Sequence, residues 1–539
     1  MFSLPTAVGA ALVIIGAFGL GGLAATAGIL GKTAKGSITR WIAGGMASIM
    51  MAVGLLGSGQ ITRLDTADSN GLSNSAGGNE AALGVEGGTG ETAGSATTGT
   101  QSGSGSRSTT SRTGGGSGSG GSGGSGDAPG VTATTVKLGF SYATDTDAFA
   151  GSVGSALPDQ GSEEDAINAI VKYVNSNGGL GGRNIVPVIR TTQLTSTDPN
   201  QLQSVCNQFT QEDRVFAVIG ANAPLDCYAK AHTIAFEGGI LGQGTDTEDF
   251  AAYSPFAWRN ASATIDQGGA TAIDGLANAG FFGPGSKVGV VAYDNAPGHR
   301  TYNNHMAPRV ARLGFPSQVR YVSGIRSFSD IGNTVQQIQA AAVQFCLDGV
   351  NRVFFLVPGG LAALVFAQQA KSQECHPRYG YTSFDHPGDS TESGNWSNIE
   401  SELPGSMGVG WRPVGDVASS RAGVWPSGDA EKKCHQVFKD AGLEASARAN
   451  AQLQVALCDT VFLLQAGSVP FRTPGSLTVQ SWAGSVERLG PSFQNAENVV
   501  GGTSFVQGRK TGTYYFRVFR YENGCGCFEY SSGNNPLSF

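Results

Sequence analysis

The sequence predicts an α/β fold: two similar doubly wound parallel-sheet lobes joined by a multi-strand hinge, preceded by N-terminal hydrophobic helices and a disordered Gly/Ser linker. Three observations predict it. Residues 167–189 read as an amphipathic helix, a glycine turn and a buried strand. Strand and helix candidates then alternate in two series of similar length and spacing, which argues for parallel sheets covered by helices. After residue 385 the rhythm changes to longer helices and a β-rich tail, so the chain returns to lobes already made.

The front of the chain is of a different kind. Residues 5–31 are free of charge and mostly apolar or small, and residues 41–57 form a second such run. The first is long enough to span a bilayer, and the second is near the short limit of ~17 residues. Lys32, Lys35 and Arg40 lie between them and place that loop on the cytoplasmic side. Residues 1–60 are therefore expected to be a membrane anchor or a signal region. In either case everything after Gly57 is exported. Residues 61–130 are rich in Gly, Ser and Thr and offer little to bury. Such a segment is expected to be a disordered linker, with an end-to-end distance of roughly 45 Å.

In the first helix Ile167, Ile170, Val171 and Val174 fall on one face, Ser162 is its N-cap, and Gly178 and Gly179 supply the left-handed stop. Strands are predicted at Val136–Tyr142, Ile185–Arg190, Phe216–Ile219 and Ile240–Gly242. A second series is predicted at Val288–Tyr293, Val319–Val322, Val353–Val357 and Tyr379–Ser383. Helices at about 428–441, 449–467 and 475–488 follow, then a strand near Tyr514–Tyr521. The expected division is 131–260 for the first part of lobe I and 261–384 for the first part of lobe II. Residues 385–490 are the expected return to lobe I, and 491–539 the C-terminal tail of lobe II. A chain that crosses between lobes repeatedly builds a hinge, and the cleft is a natural ligand site.

Net charge is −7, with no basic stripe, so nucleic-acid binding is disfavoured. All eight cysteines follow the linker. An even number in an exported chain suits disulfides, and proximity along the chain suggests Cys206–Cys227, Cys346–Cys375, Cys434–Cys458 and Cys525–Cys527. Buried free thiols are the alternative. No cofactor or metal site is expected: only the Cys-x-Cys at 525–527 has ligand-like spacing, and no second pair or histidine lies near it.

Five stretches carry a family resemblance: VKLGF at 136–140, AINAIVKYVNSNGGLGGRNI at 166–185, VFAVIG at 215–220, KVGVVAYDNAPG at 287–298 and RVFFLVPGG at 352–360. Together, and in this order, they resemble the type I periplasmic binding proteins, in particular the leucine/isoleucine/valine-binding branch of ABC transporter substrate-binding proteins. ALCDTVFLLQAG at 456–467 extends the resemblance more weakly. The resemblance implies a small-molecule solute bound between closing lobes and delivered to an ABC permease. It also implies that the loops after the third and fourth strands hold a ligand carboxylate. Tyr142, Asn222, Ala223, Gly244 and Thr245 are the expected contacts in the first lobe, with Thr245 at the family's hydroxyl position. The second lobe departs from the pattern. Pro297 stands where a tyrosine is common, and Leu361, Ala362 and Ala363 stand where branched-chain binders carry an acid. Asp294 and Asp385 are the carboxylates left to meet a ligand amine.

Enzyme signatures are weak. None of the six histidines lies in a His-Glu-x-x-His pattern, and no Gly-x-Ser-x-Gly elbow occurs. Gly28–Thr33 matches a phosphate loop only at its end. Ser383, Asp385 and His386 are the sole hint of a hydrolase triad. The expectation is an extracytoplasmic solute-binding protein that is not an enzyme. A ligand-sensing receptor ectodomain is the alternative, followed by a wall-associated module or a hydrolase.

Overall fold

Thr135–Ala143 (β1) alternates little because both its faces are covered: Val136, Leu138, Phe140 and Ala143 are all buried. The computed structural model describes residues 128–539, apart from 153–157, 195–198, 222–223, 239–243, 326–327 and 539. The expected N-terminal spans and linker lie outside the described residues. Among the described residues, no helix is long and apolar enough to cross a membrane.

β1 lies between Asn184–Thr192 (β2) and Ala217–Ala221 (β3). Ile234–Glu237 (β4) and Ala257–Trp258 (β5) complete a parallel sheet of order β2-β1-β3-β4-β5. The second sheet starts with Val288–Tyr293 (β6), Ser317–Val322 (β7), Arg352–Leu356 (β8), Arg378–Thr382 (β9) and Met407–Gly410 (β10). These run parallel in the order β7-β6-β8-β9-β10, the same permutation as the first sheet. Tyr515–Glu522 (β11) and Cys527–Tyr530 (β12) then extend that sheet as antiparallel strands.

The helix Glu163–Ser176 (α1) forms as its sequence dictates. Ser162 accepts the Asp165 N–H at 3.2 Å, and Glu163, Glu164 and Asp165 place negative charge in the first turn. Ala166, Ile167, Ile170, Val171 and Val174 are its buried face. Gly179 ends it at φ 60°, where a Cβ would come within 2.0 Å of the Arg183 carbonyl oxygen. Ile265–Asn278 (α2) is almost wholly buried and opens the second lobe.

Three later helices return to the first lobe: Asp429–Asp440 (α3), Gln452–Ser468 (α4) and Val479–Val486 (α5). Their Val437, Phe438, Val461, Leu464 and Trp482 share one core with Val136, Ile170 and Phe236. Trp482 meets Trp258 edge-on at 5.0 Å and Phe236 at 5.9 Å. Such a pair adds about 1 kcal/mol beyond the apolar area it buries. The eight cysteines form four disulfides, Cys206–Cys227, Cys346–Cys375, Cys434–Cys458 and Cys525–Cys527. These are the pairs that proximity along the chain suggests.

One strand is added and one expectation is corrected. The strand beside β3 is Ile234–Glu237, which the sequence reading leaves unassigned, with Ile234 and Ala235 in register with Ala217 and Val218; the expected strand Ile240–Gly242 lies outside the described residues. The return to lobe I does not begin at 385. β10 pairs with β9 and keeps the chain in the second sheet as far as Gly410. Its sequence, MGVG, is too short and glycine-rich to announce a strand.

Candidate functional site

In an open sheet of order 2-1-3-4-5, ligands bind beyond the carboxyl ends of the strands, at the point where the order reverses. In the first lobe that point lies between the loops after β1 and β3. Gly220 sits there at φ 75°, where a Cβ would come within 2.3 Å of the Ser141 carbonyl oxygen. In the second lobe it lies between the loops after β6 and β8, which contain Asp294 and the Pro358–Gly360 turn.

The carboxyl-end loops of the two sheets meet. Arg300, just beyond β6, reaches Asp246, just beyond β4. Its Nε donates to Asp246 Oδ2 at 2.6 Å, and its Nη2 to Asp246 Oδ1 at 2.9 Å and to Asp249 Oδ1 at 2.8 Å. Glu248 stands 3.6 Å away. The Asp246 side chain is only 3% exposed. It also caps the helix Thr247–Ala252 by accepting the Asp249 N–H. Bonding to Asp246 raises the Arg300 pKa further. Burial, then Asp246, push the Asp249 carboxyl up despite the arginine. A second polar contact bridges the lobes elsewhere, from Gln452 Nε2 to Asp389 Oδ2 at 2.9 Å.

Three crossings connect the lobes; they start after Trp258, after Gly410 and before Tyr515, the second staying against the second lobe through Val417, Ala418 and Ala422 before it reaches α3. Arg259 N–H donates to Lys510 O and Gly512 N–H to Asn260 O, both at 2.9 Å. Asn498 ties all three together. Its Nδ2 donates to Ala261 O at 2.8 Å and to Trp411 O at 3.4 Å, and its Oδ1 accepts the Thr513 hydroxyl at 3.3 Å. Asp459 receives the Ala496 and Glu497 N–H groups, and Glu497 pairs with Arg412. The stretches joining the lobes are thus tied to one another by backbone and side-chain hydrogen bonds, which suits a hinge whose strands move together.

Beside the second crossing, buried Asp416 accepts the Arg412 N–H at 2.8 Å and the Tyr530 hydroxyl at 2.7 Å. Burial outweighs these bonds and pushes its carboxyl up to about 7. The folded protein then holds a proton that the unfolded chain releases near pH 3.8. Stability contributed by this group falls as pH rises through that window, by at most about 1.4 kcal/mol per pH unit. Asp416→Asn is therefore expected to gain thermal stability relative to wild type on going from pH 5 to pH 8. Scanning calorimetry of both proteins at several pH values checks the sign.

The expected ligand residues are placed as follows. Tyr142 is half-buried against the first core, and burial, Glu164 and Glu163 raise its hydroxyl pKa. Asn222 and Ala223 lie outside the described residues. Gly244 is buried against Ile265. The Thr245 hydroxyl donates to Glu237, whose other oxygen pairs with Arg259. Asp294 is exposed and lies 2.8 Å from His299 Nε2, and that imidazole stacks on Tyr321 at 3.9 Å. Asp385 is 1% exposed, and its Oδ2 accepts the Thr382 N–H and hydroxyl as a local cap. Ser383, Asp385 and His386 are each engaged separately. Ser383 Oγ accepts the Trp411 N–H, and His386 Nδ1 lies 3.8 Å from Asp389.

Sequence reasoning missed Arg300, Asp246 and Asp249, although an acidic run, Asp246–Glu248–Asp249, was visible. It also missed Glu163, whose carboxyl burial pushes up to about 7 and whose Oε2 has no hydrogen-bond partner among the described residues. A separate cavity of about 470 Å³ is lined by Gln203, Asn207, Thr210, Arg214 and Lys230. It opens at the amino ends of the first sheet's strands, away from the meeting of the lobes. The switch points are therefore the better candidate site.

A periplasmic binding protein family model matches residues 143–389. No curated protein matches the chain. Among solved structures, a fatty acid ABC transporter substrate-binding protein from Thermomonospora curvata superposes with a TM-score of 0.52 at 15% identity, over 76% of this chain and 94% of that one. A solute binding protein of an ABC transporter from R. palustris, in complex with 4-hydroxybenzoate, gives 0.51 at 14% identity over 75% and 97%. A possible leucine/isoleucine/valine-binding protein from Rhodopirellula baltica SH 1 gives 0.50 at 12% over 75% and 98%.

Proposed function

We propose, from the match of residues 143–389 to a periplasmic binding protein family model and from the fold, that the chain is a type I periplasmic binding protein that captures a small polar, amino-acid-like or carboxylate-bearing solute between its lobes for an ABC permease. The observation that carries the reading is the contact of carboxyl-end loops from two sheets of the same strand order, across Arg300 and Asp246. A solute that touches both sets of loops favours the closed arrangement by its differential affinity for that state. The permease then recognises the closed form. Extracytoplasmic location, with retention by residues 1–60, belongs to the same reading.

Thr245, Tyr142, Asn222 and Ala223 are the proposed contacts of the first lobe, and Asp294 that of the second. Two similar structures carry fatty acid and 4-hydroxybenzoate in their names, so small carboxylic acids join amino acids at the head of the panel. A thermal-shift screen of the purified protein tests the reading, followed by calorimetry on each hit. A ligand at a hundred times its Kd stabilises by about 2.7 kcal/mol, a readily measured shift. No shift with any amino acid, amide or small carboxylate would count against solute capture.

A further inference from the structure

Of the eight half-cystines, Cys525 is the exposed one; Cys206, Cys434 and Cys458 are fully buried. Its partner Cys527 lies two positions on, so the bond spans only Gly526. The other three bonds span separations of 21, 29 and 24 residues. The constraint a disulfide places on the unfolded chain grows with loop length, so this bond contributes least as a staple. It is also redundant in the fold. The hairpin turn it occupies is already closed by β11–β12 pairing, with Glu522 opposite Cys527 and Tyr521 opposite Phe528. Gly526 completes the turn at φ 59°.

We propose that Cys525–Gly526–Cys527 is a thiol–disulfide exchange site, opened by an external thiol without unfolding, while the other three disulfides are structural. An incoming thiolate attacks the exposed Cys525 Sγ. The new S–S bond forms there as the Cys525–Cys527 bond breaks, and Cys527 leaves as a thiolate that takes up a proton. A second equivalent of thiol resolves the mixed disulfide, so that the external thiol is oxidised and the cysteine pair reduced, two electrons in all. The surroundings set a preference among thiols. The Glu400 carboxylate stands beside Gly526 and receives the Tyr521 hydroxyl at 3.4 Å, while Glu522, at the start of the turn, is paired with Arg520 at 3.9 Å, so Glu400 is the carboxylate that sets the local charge. Negative charge at the mouth favours a cationic thiol over an anionic one, and salt screens the difference.

The test uses the full chain in native buffer, titrated with cysteamine or with glutathione, trapped with an alkylating agent and mapped by mass spectrometry. Cys525 and Cys527 are expected to be trapped at thiol concentrations about tenfold below those needed for the other six, with the thermal midpoint unchanged. Cysteamine is expected to react faster than glutathione, and the gap to close in high salt. The variant Cys527→Ser leaves Cys525 as a single thiol and is expected to react with a maleimide while folded. Trapping of Cys525 and Cys527 only together with the remaining cysteines, or a folded Cys527→Ser protein that the maleimide does not label, overturns the proposal.

Discussion

Replacing Arg183 with methionine is expected to cost about 4 kcal/mol of stability, enough to unfold a marginal domain. Arg183 is 1% exposed. Its Nε donates to Thr132 O at 2.8 Å, its Nη1 to Gly181 O at 3.1 Å and Phe471 O at 2.7 Å, and its Nη2 to Thr473 O at 2.9 Å. Four carbonyls from three separate stretches thus converge on one guanidinium. Each bond from a charged donor is worth roughly 1.5–3 kcal/mol, and removing the donor leaves desolvated acceptors behind. Methionine fills much of the volume but donates nothing. Lysine keeps the charge yet cannot reproduce the planar fork, so Arg183→Lys is expected to recover only part of the loss. The arginine sews the start of the first lobe to the segment that follows α4, so the two should separate together. Urea unfolding followed by tryptophan fluorescence checks this. An unchanged midpoint for the methionine variant would show that the carbonyls find other partners.

Arg300→Gln is expected to weaken solute binding by about tenfold to a hundredfold with little change in fold. The guanidinium joins the carboxyl-end loops of the two sheets through Asp246 and Asp249, in a partly buried setting that salt screens weakly. Glutamine leaves Asp246 as a helix cap but removes the positive charge facing it. A partly buried pair of this kind is worth somewhat more than the 0–1 kcal/mol of an exposed one. If only the closed arrangement binds, apparent affinity falls with the fraction of molecules closed. Calorimetry on a ligand found by the thermal-shift screen gives the affinity, and small-angle scattering without ligand gives the opening. Wild-type affinity together with wild-type scattering would remove Arg300 from any role in closure.

Much of the fold was legible because local and tertiary preferences agree. Ser162 caps α1, its apolar stripe is the buried face, and Gly179 stops it, all as the local sequence demands. The cysteine pairs were legible because each closes a loop of 29 residues or fewer. The unassigned strand β4 shows the limit. Ile234–Glu237 is a short apolar run, and only its pairing with β3 marks it as a strand. Leaving it unassigned hid Glu237, the acid at the end of β4 that takes the Thr245 hydroxyl. The Arg300 contacts were not legible at all. They join residues 51 and 54 apart, and surface charges carry no periodicity to reveal a partner.

The outermost strand of the first sheet, β2, holds Pro187 opposite Leu138, with Val186 beside it 40% exposed. A proline there cannot offer an amide hydrogen to a neighbouring molecule. Growth of the sheet by strand addition from another copy is thereby discouraged, and crowded molecules of this protein should resist fibril formation through that edge.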